Sequence, residues 1–111
     1  MIHFLSSPAT QHQFHDMLEV YTDMIKVAVD IRKGILAGGG EMHADCEKVL
    51  IDYGSEQSDI WGANWYPNEK KVAYEALINI RPRDGNPRMV IQDEEIRSKV
   101  REIVLTLMGA N

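Results

Sequence analysis

What this chain of 111 residues has little of narrows its nature first. It carries one cysteine, Cys46, which excludes an internal disulfide and a multi-cysteine zinc site. No apolar run approaches the roughly 20 residues that cross a bilayer, and the start MIHFLSSPA has no basic segment ahead of a long apolar one. A cytoplasmic protein without membrane contact is the expectation. No Pro/Ser-rich linker, low-complexity tract or internal repeat divides the chain, and a second domain would leave each half too small for a good core, so residues 1–111 read as one domain. Cations are short as well: 12 Lys and Arg stand against 17 Asp and Glu, for a formal net charge of −5. Nucleic acid and anionic membrane both call for a cation surplus, so neither is an expected partner. What remains, 44% hydrophobic and 26% charged, is globular composition and excludes disorder and collagen.

Periodicity then sketches the elements. Ile2-His3-Phe4-Leu5 suits a short edge strand. Ser7-Pro8 offers a helix start, a hydroxyl cap followed by proline where a missing N–H costs nothing. Phe14, Met17, Leu18 and Tyr21 recur at helical spacing, predicting a helix over about residues 8–22. Val27, Val29 and Ile31 alternate with Ala28, Asp30 and Arg32, and Lys33-Gly34 turns this strand into Ile35-Leu36-Ala37. After Gly38-Gly39-Gly40, the positions Met42, Cys46, Val49, Leu50 and Tyr53 predict a second helix, stopped by Gly54. Residues 60–66 and 72–81 predict two strands joined through Pro67-Asn68-Glu69-Lys70, the second with Tyr74, Ala76, Ile78 and Ile80 on one face. Residues 81–88 form a loop by their two prolines and Asp84-Gly85. Asp93 caps a last helix, with Glu94 and Glu95 in its first turn and a stripe of Ile96, Val100, Ile103, Val104 and Leu107.

The order β-α-β-β-α-β-β-α, with one apolar stripe per helix, predicts an α+β fold: a two-layer sandwich with a largely antiparallel sheet of about five strands and three helices. If every helix lies on one side, the other sheet face stays bare and carries some of Trp61, Trp65, Tyr66 and Leu77. That is more apolar area than a monomer leaves in water, so a homodimer is expected, with Trp65 and Tyr66 at the interface.

Four constellations carry candidate chemistry. Glu41, His43, Asp45 and Glu47 crowd the start of the second helix, where they suit a general base or a solvated first turn whose acids favour the helix dipole. The i, i+4 pairs Glu41/Asp45 and His43/Glu47 point in different directions, so all four cannot converge on one ion, and no metal site is expected. Gly38-Gly39-Gly40 lacks the ending of a phosphate loop, and Glu41 and Asp45 would repel phosphate there; no cofactor is expected. Arg81, Arg83 and Arg88 cluster around Asp84 and Asn86, ready either to bind an anion or to pair with the protein's own acids. Trp61 and Trp65 share a strand face opposite Asn64, as core, ligand wall or interface. Cys46 falls on an apolar stripe, as a buried thiol does, and His12 and His15 have no third ligand near them in sequence.

Together, GGGEMHADCEKVLIDYGSEQSDIWGANWYP, ALINIRPRDGN and a closing helix opened by DEEIR resemble an uncharacterised bacterial domain family of unknown function. Its short members carry a GGELHADAE…LWGINLYP…LINIRPSQGN series, and the resemblance spans about residues 24–108. It implies no activity. It puts emphasis on Glu41, His43, Asp45, Trp61, Gly62, Tyr66, Pro67, Asn79, Arg81, Pro82, Gly85 and Asn86. This chain departs from the series at Asp84, at Pro87-Arg88 and at its second tryptophan, Trp65.

The expectation is a binding module of unknown function, a homodimer with one polar pocket per subunit. Glu41, His43 and Asp45 would meet Arg81 there, with Arg83, Asn86, Asn79 and Trp61 as further ligand contacts, around a small polar or anionic ligand or a partner's side chain. The alternative is a hydrolase- or lyase-type enzyme. His43 would be its general base, Asp45 or Glu41 would orient it, and Arg81 would stabilise developing negative charge.

Overall fold

Alternation of apolar and polar residues builds the sheet, as the sequence pattern requires. The computed structural model describes residues 1–109. Five strands, β1 (His3–Leu5), β2 (Ile25–Asp30), β3 (Ile35–Gly38), β4 (Ile60–Tyr66) and β5 (Lys71–Ala73), pair antiparallel in the order β1-β3-β2-β4-β5. Three helices intervene: α1 (Gln11–Met17), α2 (His43–Tyr53) and α3 (Glu94–Met108). The α+β class and the order of strands and helices are those expected.

The layering differs. Ile25, Val27 and Val29 of β2, Leu36 of β3, and Trp61, Ala63 and Trp65 of β4 project to one side. There they pack with Phe14 and Met17 of α1 and Val100, Val104, Leu107 and Met108 of α3. Ala28, Ile35, Ala37 and Ile60 project to the other side and meet Cys46 and Leu50 of α2. Helices therefore cover both faces, and β2 and β3 are buried at both parities, where a one-sided sheet would be exposed at one. The two-layer expectation is corrected to three, and the bare face goes with it. Trp61 and Trp65 are core residues of the chain itself.

Two element boundaries also move. The first helix begins after Thr10, whose Oγ1 accepts from Gln13 N at 3.1 Å while Gln13 Oε1 accepts from Thr10 N at 3.0 Å. This reciprocal capping box prevails over Ser7-Pro8, because Ala9 N is already committed to Leu107 O at 2.8 Å. At the far end α1 stops before Tyr21, whose hydroxyl donates to Glu41 O at 3.0 Å. The strand expected over 72–81 ends at Ala73 and gives way to two short 3-10 turns, Leu77–Asn79 and Pro82–Asp84.

A side chain replaces the missing strand. Asn79 is buried, its Oδ1 accepts from Gly62 N at 2.7 Å, and its Nδ2 donates to Gly62 O at 3.0 Å and Met89 O at 3.1 Å. One amide thus imitates a paired residue beside β4 where no strand runs. Asn86 repeats the device further along: Nδ2 donates to the backbone oxygens of Asn79 (2.9 Å) and Val90 (3.2 Å), and Oδ1 accepts from Gln92 N at 2.9 Å. Gly62 is needed for this approach, since an added Cβ would collide with Ala76 Cβ and crowd Ile78 Cγ1 at 3.0 Å. The segment from Tyr74 to Gln92 is therefore laid against the edge of β4, on the side where α2 packs.

Candidate functional site

Between α2 and residues 75–84 lie two adjoining hollows that share Leu77 and Ile78. The larger, about 560 Å3, is lined by Glu47, Gln57, Ser58, Ile80, Pro82 and Asp84 along with Arg81 and Arg83. The smaller, about 370 Å3, is lined by Lys26, Met42, His43, Ala44, Asn64, Glu75, Ala76 and Met89. Both fall within the roughly 300–1,000 Å3 of ordinary ligand sites.

Arg81 is fixed from several directions. Its backbone pairs with Asn86, N to O at 2.6 Å and O to N at 2.9 Å, which closes the loop carrying Asp84-Gly85. Nε donates to Ile78 O at 3.1 Å, Nη2 donates to Ile60 O, and the guanidinium lies 4.5 Å from the ring centre of Trp61. Its partner acid is Glu47, one turn beyond His43 on α2, with Oε2 3.9 Å from Nη2. The two side chains keep only 10% and 12% of their accessible surface, and burial pulls the Arg81 pKa down against the opposing pull of Glu47 and Asp84. Arg81 Nη1 and Glu47 Oε2 are buried with no hydrogen-bond partner. Such groups are rare in folded proteins and cost about 1–3 kcal/mol each when left unpaired.

His43 opens α2 and crosses to β4. Its Nε2 is 3.0 Å from Ala63 O and 2.8 Å from Asn64 Oδ1. Burial lowers its pKa, with Lys26 adding to the shift and the Asn64 and Ala63 contacts opposing it. The ring is neutral at pH 7 and ties the helix to the sheet.

The other expected residues divide. Arg83 is exposed on the rim of the larger hollow. Glu41 is exposed and offers only its backbone oxygen to Tyr21; Asp45 is exposed, with Oδ2 accepting from Met42 N at 3.3 Å as a cap. Neither lines the hollow with His43, and His43 and Arg81 line different hollows, so the single pocket expected between them is divided by Leu77 and Ile78. Asn79 and Asn86 are not free ligand contacts, because backbone groups occupy both amides. Trp61 is buried beneath Arg81, and Trp65, expected at an interface, is fully inside the core; Tyr66 is half-buried at the end of β4. Cys46 is buried, with its pKa raised to about 11 chiefly by burial.

The sequence pattern puts Glu47 in the constellation at the start of α2 but not opposite Arg81, and singles out neither Gln57 nor Ser58. The signal for Glu47 was present: it sits four residues after His43 on a helix whose Cys46 and Leu50 face the sheet, so it flanks the buried stripe. Nothing in the polar loop distinguished Gln57 or Ser58. Among the described residues no group of three or more His, Cys, Asp or Glu is placed to hold a metal ion, and no helix is long and apolar enough to cross a membrane.

No curated protein and no solved structure matches the chain. A family model described as a protein of unknown function, DUF5674, matches residues 3–107, and the chain belongs to that family.

Proposed function

We propose that this chain is a single-domain, cytoplasmic small-molecule-binding module whose site is the larger hollow. Its ligand is a small molecule with one anionic group and an apolar body. One observation carries the reading: the paired but unsatisfied Arg81 and Glu47 in the hollow's wall. Arg83 at the rim supplies an accessible fork for a carboxylate, while Leu77, Ile80 and Pro82 supply apolar contact. Glu47 and Asp84 make a multiply charged anion unwelcome. The hydrolase- or lyase-type alternative asks His43 and Arg81 to reach one shared void, and the two side chains line separate ones.

A homodimer belongs to this reading too. Its surface would be the apolar strip of Leu77 (63% exposed), Met42 (54%), Ile80 and Met89, which borders both hollows, since the tryptophans are already covered. Light scattering at micromolar concentration that finds only monomer removes this part.

Calorimetric titration of the free chain with small monocarboxylates and monophosphate esters tests the site. The expected result is binding that weakens at least about fivefold in Arg83→Gln, whose exposed side chain leaves the fold unchanged. No heat and no thermal shift with any member of either class overturns the reading.

A further inference from the structure

The smaller hollow holds something the larger lacks, a nitrogen lone pair with nothing bound to it. Ala63 O can only accept a hydrogen bond. Asn64 is oriented by its own Nδ2, which donates to Glu75 O at 3.3 Å, so the Oδ1 facing His43 accepts as well. Both neighbours of Nε2 therefore require a donor. The ring proton sits on Nε2, and Nδ1 is left as an acceptor. Nδ1 has no hydrogen-bond partner among the described residues, and the buried side-chain polar atoms without one are Glu47 Oε2, Trp65 Nε1 and Arg81 Nη1. Nδ1 is thus not fully enclosed, on a ring that lines the hollow.

The rest of the lining says what suits it. Met42, Ala44, Ala76, Leu77, Ile78 and Met89 form apolar walls, with Lys26 and Glu75 also at the boundary. A ligand with a net charge would be drawn to one of those two and repelled by the other. The methionines add contact that adapts to a ligand's shape.

We propose that the hollow over His43 is a second binding site, for a small, uncharged and mostly apolar molecule that donates one hydrogen bond, from a hydroxyl or N–H, to Nδ1. The fold already holds the imidazole in the required tautomer, so binding needs no rearrangement of the ring. The neutral state favoured by burial keeps the acceptor available at pH 7. The site adjoins the Arg81 hollow across Leu77 and Ile78 but does not depend on any ligand there.

The test uses the full chain with 4-ethylphenol and 4-ethylanisole, which share an apolar body and differ in whether the oxygen carries a proton. Titrations followed by nitrogen-resolved NMR are expected to show 4-ethylphenol moving the signals of Ala44, Ile78 and Met89 together with the His43 Nδ1 resonance. It should bind about three- to tenfold tighter than 4-ethylanisole. In His43→Leu, which has no acceptor to take the place of Nδ1, the two probes are expected to bind equally. If that variant does not fold, the wild-type affinity ratio and the Nδ1 shift decide alone. Equal affinities in the wild type, imidazole shifts that place the proton on Nδ1, or no response to either probe overturns the proposal.

Discussion

The sheet with its helices and the segment from Tyr74 to Gln92 are held by different physics. In the former, Val27, Val29, Leu36, Trp65, Val100 and Val104 bury apolar area, a contribution of about 1.5–3 kcal/mol for each large side chain. In the latter, Ile91 and Ala76 are the buried apolar side chains while Leu77, Ile80, Met89 and Val90 are exposed, and the chain between Ala76 and Ile91 is pinned by Asn79 and Asn86. Apolar packing is tolerant of exchange. A side-chain amide that replaces a strand is not, because its donors and acceptors must all be present at once. Both hollows open along this pinned segment, so the part of the molecule that shapes the sites is the part hydrophobic burial supports least.

The sharpest way to break this contrast is Asn79→Leu, a change of similar size that adds apolar area. Were the segment held by packing, the cost would stay below about 1.5 kcal/mol. We expect above about 3 kcal/mol by urea unfolding, because the N–H and carbonyl of Gly62 and the carbonyl of Met89 lose their partner. Leu50→Ala, in the apolar region under α2, is the matched control at about 2–5 kcal/mol. It should leave the Arg81 hollow's ligand binding intact, whereas Asn79→Leu should abolish it.

Gly62→Ala comes next, at about 1–3 kcal/mol, because the new methyl meets Ala76 and Ile78 where the segment crosses β4. The effect should appear first as local opening, with faster amide exchange at Gly62 and Ala76 than in α3. Uniform exchange across the molecule would mean that the segment and the body unfold together.

The body has a buried polar tie of the same kind. Asp30 is fully buried; Oδ1 accepts from Arg32 N and Lys33 N, both at 2.9 Å, and Oδ2 accepts from Ser55 Oγ at 2.6 Å. It shapes the hairpin between β2 and β3 and fastens the end of α2 to it. Asp30→Asn keeps Oδ1, and the Ser55 hydroxyl can turn to accept from the new amide. The expected loss is therefore only about 1 kcal/mol, measured by the same unfolding.

This difference also explains what could be read from the sequence. The hairpin from Ile25 to Gly38, β4 and α3 were legible because periodic burial wrote them, and Asp93 capped α3 as expected, its Oδ1 accepting from Glu95 N at 2.8 Å. Residues 74–80 carry the same alternation yet form no strand, since the bonding groups β4 offers at Gly62 are taken by Asn79 instead. Apolar period alone cannot distinguish a strand from a chain fixed by one amide. The sites suffered similarly. The sequence placed His43 and Arg81 near the same edge, but their separation depends on the side chains of Leu77 and Ile78, expected on a strand and found on and beside a 3-10 turn. Glu47 became visible as the partner of Arg81 only once α2 was seen to cross β4.

The smallest effect concerns pH. His43 joins α2 to β4 beside the pinned segment, and burial lowers its pKa below the ordinary 6.5. The unfolded chain therefore takes up the proton first as pH falls, and stability declines with acidification between about 6.5 and the lower folded value. Above that window the contribution is complete. Asp16, whose pKa is lowered mainly by its hydrogen bond to His3, acts in the same direction but only below the ordinary carboxylate value of 3.8. Subtracting the melting profile of His43→Gln from that of the wild type isolates the imidazole. The difference should be flat from pH 8 to about 7 and should then shift against the wild type toward pH 5. A difference that stays flat across the whole range would mean that His43 is as open to water in the folded chain as in the unfolded one, and would remove the tie between α2 and β4.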